Sequence, residues 1–376
     1  MPELFKNLLG ATAVRSAAQH LHRQAPRFDQ RGFEQLALTG LSALELKARA
    51  MHIADALEAT LPVGFDDAAA LIEASLAPVS QHEQGVASAS GEAGLAGWIL
   101  WPVGEFVVRR GLSQPQRALA TLHALTQRFT AEWAIRPFIE AHPQLCFDTL
   151  ARWANDPSPH VRRLVSEGSR PRLPWATRLQ TLVHDPSPTL PLLRMLQDDP
   201  SEYVRRSVAN HLNDIAKDHP DRVAHWVTQY LPDASSERRA LLRHASRTLI
   251  KSGHPAMLQA WGLGRALNGR ASLQITPRSL ALGETLSLQV TLCSTASRPQ
   301  NLVLDYAIHH VKANGDTSPK VFKGWALELA MHELRTLRKS HSVRRITTRR
   351  YHPGRHVVDL RANGQVVARA TFELTT

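Results

Sequence analysis

Apolar and polar residues follow two different rhythms along the chain, and the change between them falls near residue 270. Up to about Ser80, leucines and alanines recur every three or four positions, and "LSALELKARAMHIADALEATL" (Leu41 to Leu61) predicts an amphipathic helix. A Gly/Ser/Ala-rich stretch, "GVASASGEAGLAG" (Gly85 to Gly97), predicts a loop. Helical spacing resumes through "PQRALATLHALTQRFTAEWAIRPFIEAH". After "WGLGRALNGR" the period shortens: "SLQITP", "TLSLQVTLC", "NLVLDYAIHHV", "RHVVDLRANG" and "VVARATFEL" are short runs rich in β-branched residues, divided by turn residues. Some seven strands from Ala271 onward predict an immunoglobulin-like sandwich, with an Asn-Gly hairpin in "DLRANGQVVARA".

The helical part contains a repeat. "NDPSPHVRRLVSEG" from Asn155 matches "DDPSEYVRRSVANH" from Asp198, with Asp156 and Asp199 in register 43 positions apart. His-Pro pairs recur at His142, His219 and His254, and "SERRALLRHASRTLI" (Ser236 to Ile250) reads as a decayed third copy. A helix-pair unit of this length, opened by Asp-Pro-Ser and closed by a proline turn, predicts a HEAT-type solenoid. Helical spacing puts Val161, Leu164, Val165 and Gly168 on the core face of one copy, and Val204, Val208 and Leu212 on that of the next. The opposite edge carries Arg163, Glu167 and Arg170, then Arg206, Asn210 and Asp214. The expected architecture is mainly α: a HEAT-like α-helical solenoid over residues 1–268, followed by a C-terminal immunoglobulin-like β-sandwich over 271–376.

Composition narrows the partners. The 376 residues are 43% apolar and 21% charged, as in a globular protein, and no run approaches the roughly 18 apolar residues of a membrane span. The opening "MPELFKNLLG" lacks a basic cluster followed by an apolar core, so no export signal is expected. Two cysteines, Cys146 and Cys293, exclude a disulfide framework or a cysteine zinc site and suit a reducing cytoplasm. A formal charge of +12 attracts polyanions, of which nucleic acid is the commonest in a cytoplasm, although a generic basic surface has the same sum. The span Arg335 to Arg355, "RTLRKSHSVRRITTRRYHPGR", holds eight Arg/Lys and no acid. A solvated strand face is the plainer reading; phosphate contact, centred on Arg344, Arg345, Arg349 and Arg350, is favoured.

Familiar catalytic signatures are absent: no Walker loop, GxSxG or HExxH, and "GLGRALNG" has the wrong spacing for a dinucleotide loop and no preceding strand. The 19 histidines do not fall at metal-ligand spacing, so neither metal nor cofactor is expected. What remains is a set of acids. Glu132 has a plain reading as an i,i+4 partner of Arg136, Glu167 as a partner of Arg163 and Arg170, and Asp214 as a helix-end residue. Read together, the solenoid repeat places all three on one side of successive helices. In "RPRLPW" neither Pro171 nor Pro174 can continue a helix, which puts Trp175 in a loop or at the next helix start. It is either a buried spacer or an aromatic wall for a nucleobase.

"EWAIRPFI", "HVRRLVSEGSRPRLPW" and the Asp-Pro-Ser/Val-Arg-Arg repeats resemble the AlkC branch of the AlkC/AlkD alkylated-base DNA glycosylases, most specifically from Glu132 to Asp214. In that family a concave face binds DNA, acids with an aromatic residue form the site, and some members carry an immunoglobulin-like tail. The resemblance implies a monofunctional glycosylase excising N-alkylated, cationic bases such as 3-methyladenine or 3-methylcytosine from double-stranded DNA. It assigns Glu132, Glu167, Trp175 and Asp214 to the catalytic site and makes Arg163 and Arg170 neighbours that orient Glu167 or touch phosphate, counted among the DNA-binding residues. Arg136, Arg206 and Asn210 are expected on the DNA-binding edge, and the protein is expected to be a bacterial, cytoplasmic, nucleoid-associated monomer. A cationic base leaves as a neutral molecule, so the chemistry needs an anion beside the developing oxocarbenium sugar more than it needs an acid. The rival reading is a non-catalytic module binding branched or damaged DNA or a protein partner, which gains nothing from acids in a basic groove.

Overall fold

The computed structural model describes residues 5–79, 89–263, 265–346 and 349–375; the first part of the predicted Gly85–Gly97 loop, before Ala89, lies outside the described residues. The helices are α1 (Ala11–Gln24), α2 (Gln30–Leu38), α3 (Leu46–Thr60), α4 (Phe65–Ser75), α5 (Leu100–Gly111), α6 (Pro115–Thr126), α7 (Ile135–Ala141) and α8 (Pro143–Trp153). They continue with α9 (Pro159–Gly168), α10 (Gln180–His184), α11 (Leu190–Leu196), α12 (Glu202–Ile215), α13 (Pro220–Tyr230), α14 (Ser236–Ala245), α15 (Arg247–Ser252) and α16 (Pro255–Ala260). The span expected as one helix from Leu41 is instead a 3₁₀ turn, Leu41–Ala43, followed by α3. The break has a cause: Arg49 donates from α3 to the carbonyls of Leu44 and Ser42 at 2.8 and 3.1 Å, holding that turn open.

By compactness the chain divides into two units, residues 1–218 with 235–244, and residues 219–234 with 245–376. Helices α13, α15 and α16 thus group with the strands, whereas the sequence pattern places the change at 268–271.

In the first unit the repeat is physical. The Asp156 carboxylate accepts from the Ser158 amide at 2.8 Å, and Asp199 repeats this with Ser201 at 2.9 Å. The first arginine of each Val-Arg-Arg folds back onto the same turn, Arg162 onto the carbonyls of Asp156 and Pro157, and Arg205 onto those of Asp199 and Pro200. Arg162 also forks onto Asp199 of the next repeat at 2.6 and 3.0 Å, so one side chain fixes both the turn and the stacking. Asp185 makes the same turn with the Ser187 amide at 3.1 Å, a third Asp-Pro-Ser use. Val161, Leu164, Val165, Val204, Val208 and Leu212 are all fully buried, as their spacing predicts. Gly168 ends α9 where a Cβ would lie 2.6 Å from Ile135 Cγ2, so α7 and α9 approach closely only because this residue has no side chain.

In the second unit β1 (Gly269–Thr276), β3 (Thr285–Ser294) and β6 (Leu334–Ser342) form one antiparallel sheet. The other sheet runs in the order β2 (Ser279–Ala281), β8 (Gln365–Thr375), β7 (Gly354–Ala362), β4 (Gln300–Val311), β5 (Thr317–Leu329). Alternate residues of β3 (Leu286, Leu288, Val290, Leu292) share one core with Leu304, Tyr306, Ile308, Val358 and Leu360. The chain therefore has the HEAT-like helical array and the immunoglobulin-like sandwich that its two rhythms predict. The Asn363-Gly364 turn joins β7 to β8 with both residues at positive φ, as this hairpin type requires.

Candidate active site

Glu132, Arg163, Glu167, Arg170, Asp214 and Lys217 form one continuous row of alternating charge. Glu132 lies just before α7, Arg163 and Glu167 on α9, Arg170 just after it, Asp214 on α12 and Lys217 just beyond. Glu132 Oε2 accepts from Arg163 Nη1 at 2.5 Å; Arg163 Nη2 is 3.7 Å from Glu167 Oε1, which accepts from Arg170 Nη1 at 2.5 Å. Arg170 reaches on to Asp214 Oδ2 through Nε and Nη2 at 2.8 and 2.6 Å, and Lys217 Nζ donates to Asp214 Oδ1 at 2.7 Å. Glu132, Glu167, Arg170 and Asp214 are buried. Charges so far out of water persist because each acid meets a base, Glu167 within and just after its own helix and Glu132 and Asp214 across to the α9 segment.

Hydroxyls complete the row. Ser207 of α12 donates to Glu167 Oε2 at 2.6 Å, and Thr130 donates to Glu132 Oε2 at 2.8 Å. Burial works against the Glu167 charge, but Arg163, Arg170 and the Ser207 hydroxyl outweigh it and hold the carboxyl below its ordinary range. Burial likewise opposes the charge of Arg163, and Glu132 and Glu167 more than restore it. Tyr203 lies under Arg163, its ring centre 5.2 Å from the guanidinium carbon. Both oxygens of Glu167 and of Asp214 are engaged. Among the described residues, Glu132 Oε1 makes no hydrogen bond, since Thr130 and Arg163 both address Oε2.

Trp175 is 71% exposed, which removes the buried-spacer reading. It sits in the turn Leu173–Ala176, closed by the Ala176 amide on the Leu173 carbonyl at 3.3 Å, with φ at 65°. Proline is usual at the second position of such a turn and glycine at the third; here tryptophan occupies the glycine place. A side chain in that backbone region costs about 1–2 kcal/mol. The exposed ring is held in a conformation the chain would not choose locally.

Arg136 differs from its expected place on the DNA-binding edge. It is 1% exposed and does not pair with Glu132. Its guanidinium donates to the carbonyls of Thr177 (3.0 and 2.6 Å), Gly168 (3.0 Å) and Arg170 (2.7 Å). No face is left for a phosphate, because helices α7 and α9 close around it. Arg206 is exposed and lines a cleft of about 350 Å³ with Arg205, Glu202, Glu237 and His244; Asn210 is bonded to His244 at 2.9 Å.

In the second unit the basic run is divided. Arg335 and Lys339 are half-buried and donate across from β6 to the carbonyls of Glu328 and Gly324 on β5 at 3.0 and 3.2 Å. Arg344, Arg345 and Arg350 are exposed, and Arg349 is half-buried, donating to His310 Nε2 at 2.7 Å. Burial and the nearby Arg349 charge hold His310 neutral, its pKa lowered to about 3. Among the described residues no cluster of His, Cys, Asp or Glu is arranged to hold a metal, and no helix is long and apolar enough to cross a membrane.

Fold and row together define a HEAT-like repeat protein with a buried row of paired acidic and basic side chains and an immunoglobulin-like tail. Residues 129–249 match the DNA alkylation repair enzyme family, and residues 270–376 match the C-terminal Ig-like domain of YhaZ. The YhaZ protein of Bacillus subtilis (strain 168) is 32% identical over 371 residues, covering 98% of this chain and 99% of that protein. The alkylpurine DNA glycosylase AlkC of Pseudomonas fluorescens, solved bound to DNA containing an abasic site analog, superposes with a TM-score of 0.90 at 35% identity over the full length of both chains. The chain belongs to the AlkC branch of the DNA alkylation repair family.

Proposed function

We propose that the chain is a monofunctional DNA glycosylase that hydrolyses the N-glycosidic bond of N-alkylated, cationic bases such as 3-methyladenine and 3-methylcytosine. Two observations support this reading: the buried row of fixed carboxylates, in which Glu132 Oε1 makes no hydrogen bond among the described residues, and a strained, exposed tryptophan on the segment that follows Arg170. As the C1′–N bond breaks, its electron pair goes to the base, which departs neutral, and the sugar becomes oxocarbenium-like. Glu167 and Asp214, already oriented, stabilise that charge without reorganising; an effect of this kind is worth roughly 10²- to 10³-fold. Glu132 accepts the proton of the attacking water through Oε1, giving the hydrated abasic sugar, and releases it to solvent. Trp175 packs against the lesion or the electron-poor sugar. Lys217 donates to Asp214 instead of standing free as an amine, which supports hydrolysis over Schiff-base chemistry.

Double-stranded DNA is held by the helical domain, taken as residues 1–268, through Arg163, Arg170, Arg206 and Asn210. The sandwich, 271–376, adds Arg344, Arg345, Arg349 and Arg350. The protein acts as a monomer in the bacterial cytoplasm, at the nucleoid. The decisive experiment is incubation with N-methylated duplex DNA without added metal, followed by chromatography of released bases, for the wild type and Glu132→Gln. Free methylated base from the wild type, lost in the variant with DNA affinity retained, is expected. Tight binding with no base released would leave a DNA-binding module.

A further inference from the structure

Arg136 is a buried charge for which the reaction above has no use. It is 1% exposed, and all four of its hydrogen bonds go to main-chain carbonyls. Two of those carbonyls, Gly168 and Arg170, stand at the end of α9; the third, Thr177, lies two residues past Trp175. One rigid fork therefore ties both ends of the segment that carries Pro171, Pro174 and Trp175. The Leu173–Ala176 turn inside it has tryptophan where a glycine would rest unstrained. A strained exposed turn keeps its shape only if its ends are fixed from outside. Gly168 makes the fork possible, because a Cβ there would strike Ile135, the residue before Arg136.

We propose that Arg136 is a positioning residue: it sets the Trp175 turn and acts on base excision through Trp175. The inference rests on the function proposed above. Lysine at 136 keeps the charge but places it on a single nitrogen that cannot span both ends of the segment.

The test is a cycle of wild type, Arg136→Lys, Trp175→Ala and the double variant, all in the full chain. Single-turnover excision at saturating alkylated duplex is measured beside affinity for undamaged DNA. Arg136→Lys is expected to lower excision about 10-fold, leave affinity within about 2-fold, and have no further effect once Trp175 is alanine. An equal loss in both backgrounds would route Arg136 through Arg170 and the acids, and overturn the proposal. A readout independent of catalysis accompanies it: with 5-fluorotryptophan incorporated, the Trp175 ¹⁹F resonance, assigned by its loss in Trp175→Ala, should shift or broaden in Arg136→Lys. An unmoved resonance overturns the proposal even if the protein releases no base. Should the lysine variant melt below the assay temperature, Arg136→Gln, which buries no charge and still donates to one carbonyl, takes its place with the same expectations.

Discussion

Ser207 on α12 donates its hydroxyl to Glu167 on α9 at 2.6 Å, so the carboxylate at the centre of the row is oriented by the neighbouring repeat. Glu167 has to be ionised to stabilise positive charge, and it is held below the ordinary carboxylate range. Its contribution is therefore complete above the usual glutamate value and lost only as pH falls through the depressed one. Ser207→Ala removes one of the groups that depress it. A hydrogen bond to a charged acceptor is worth about 1.5–3 kcal/mol. We expect excision to fall about 10-fold and its acid limb to move to higher pH, read from single-turnover rates between roughly pH 4 and 8. An unmoved acid limb would count against any role for Ser207 in the site.

Trp175 separates stability from activity. Glycine relieves the positive-φ strain, about 1–2 kcal/mol, but gives back about 0.5–1 kcal/mol of chain entropy. Trp175→Gly should melt no lower than the wild type while losing about 10-fold or more of its excision rate, the loss expected from a base–aromatic contact. A large drop in melting temperature would make the ring a packing element after all.

His211, fully buried on α12, is bonded through Nδ1 to the Ser166 carbonyl at 2.9 Å. Burial, reinforced by Arg170, pushes its pKa down from 6.5 to about 4. The unfolded chain binds this proton before the folded one does, so stability is full above about pH 6.5 and is lost as pH falls toward 4, by roughly 3 kcal/mol. His211→Asn keeps a donor for Ser166 without a titrating ring. Its melting temperature should depend less on pH across that window; identical slopes would exclude His211 as the source.

Arg344 and Arg345 are exposed on the sandwich. If they contact phosphates, replacing both by alanine lowers the slope of log affinity against log salt by roughly 2 for duplex DNA. Excision at saturating DNA should be unchanged. Binding whose salt slope matches the wild type would place the DNA elsewhere on the protein.

The helical repeat is legible in the sequence because the Asp-Pro-Ser turn and the folded-back arginine are local, and the sandwich because its strands alternate. The Asp185 turn is hidden there because no Val-Arg-Arg follows it. Arg136 reads as surface since a lone arginine on a helix usually is, and only the approach allowed by Gly168 encloses it. Ser207 and His211 do leave a trace. In the 43-residue register they stand where Leu164 and Gly168 stand one repeat earlier, polar groups at positions that should be apolar or small. The pairing of Glu132 with Arg163, 31 positions away, joins two helical segments whose packing no spacing rule encodes.

The buried row has a consequence for descent. Inner members of the row each meet two partners, so most single changes leave the neighbours one counter-ion; loss of Arg163 instead leaves the buried Glu132 with no base, a change of a kind that costs about 3–5 kcal/mol from a fold whose whole stability is typically about 5–15. Glu132 and Arg163 are thus the two members expected to change together in descent, because among the described residues Glu132 has no other base to fall back on.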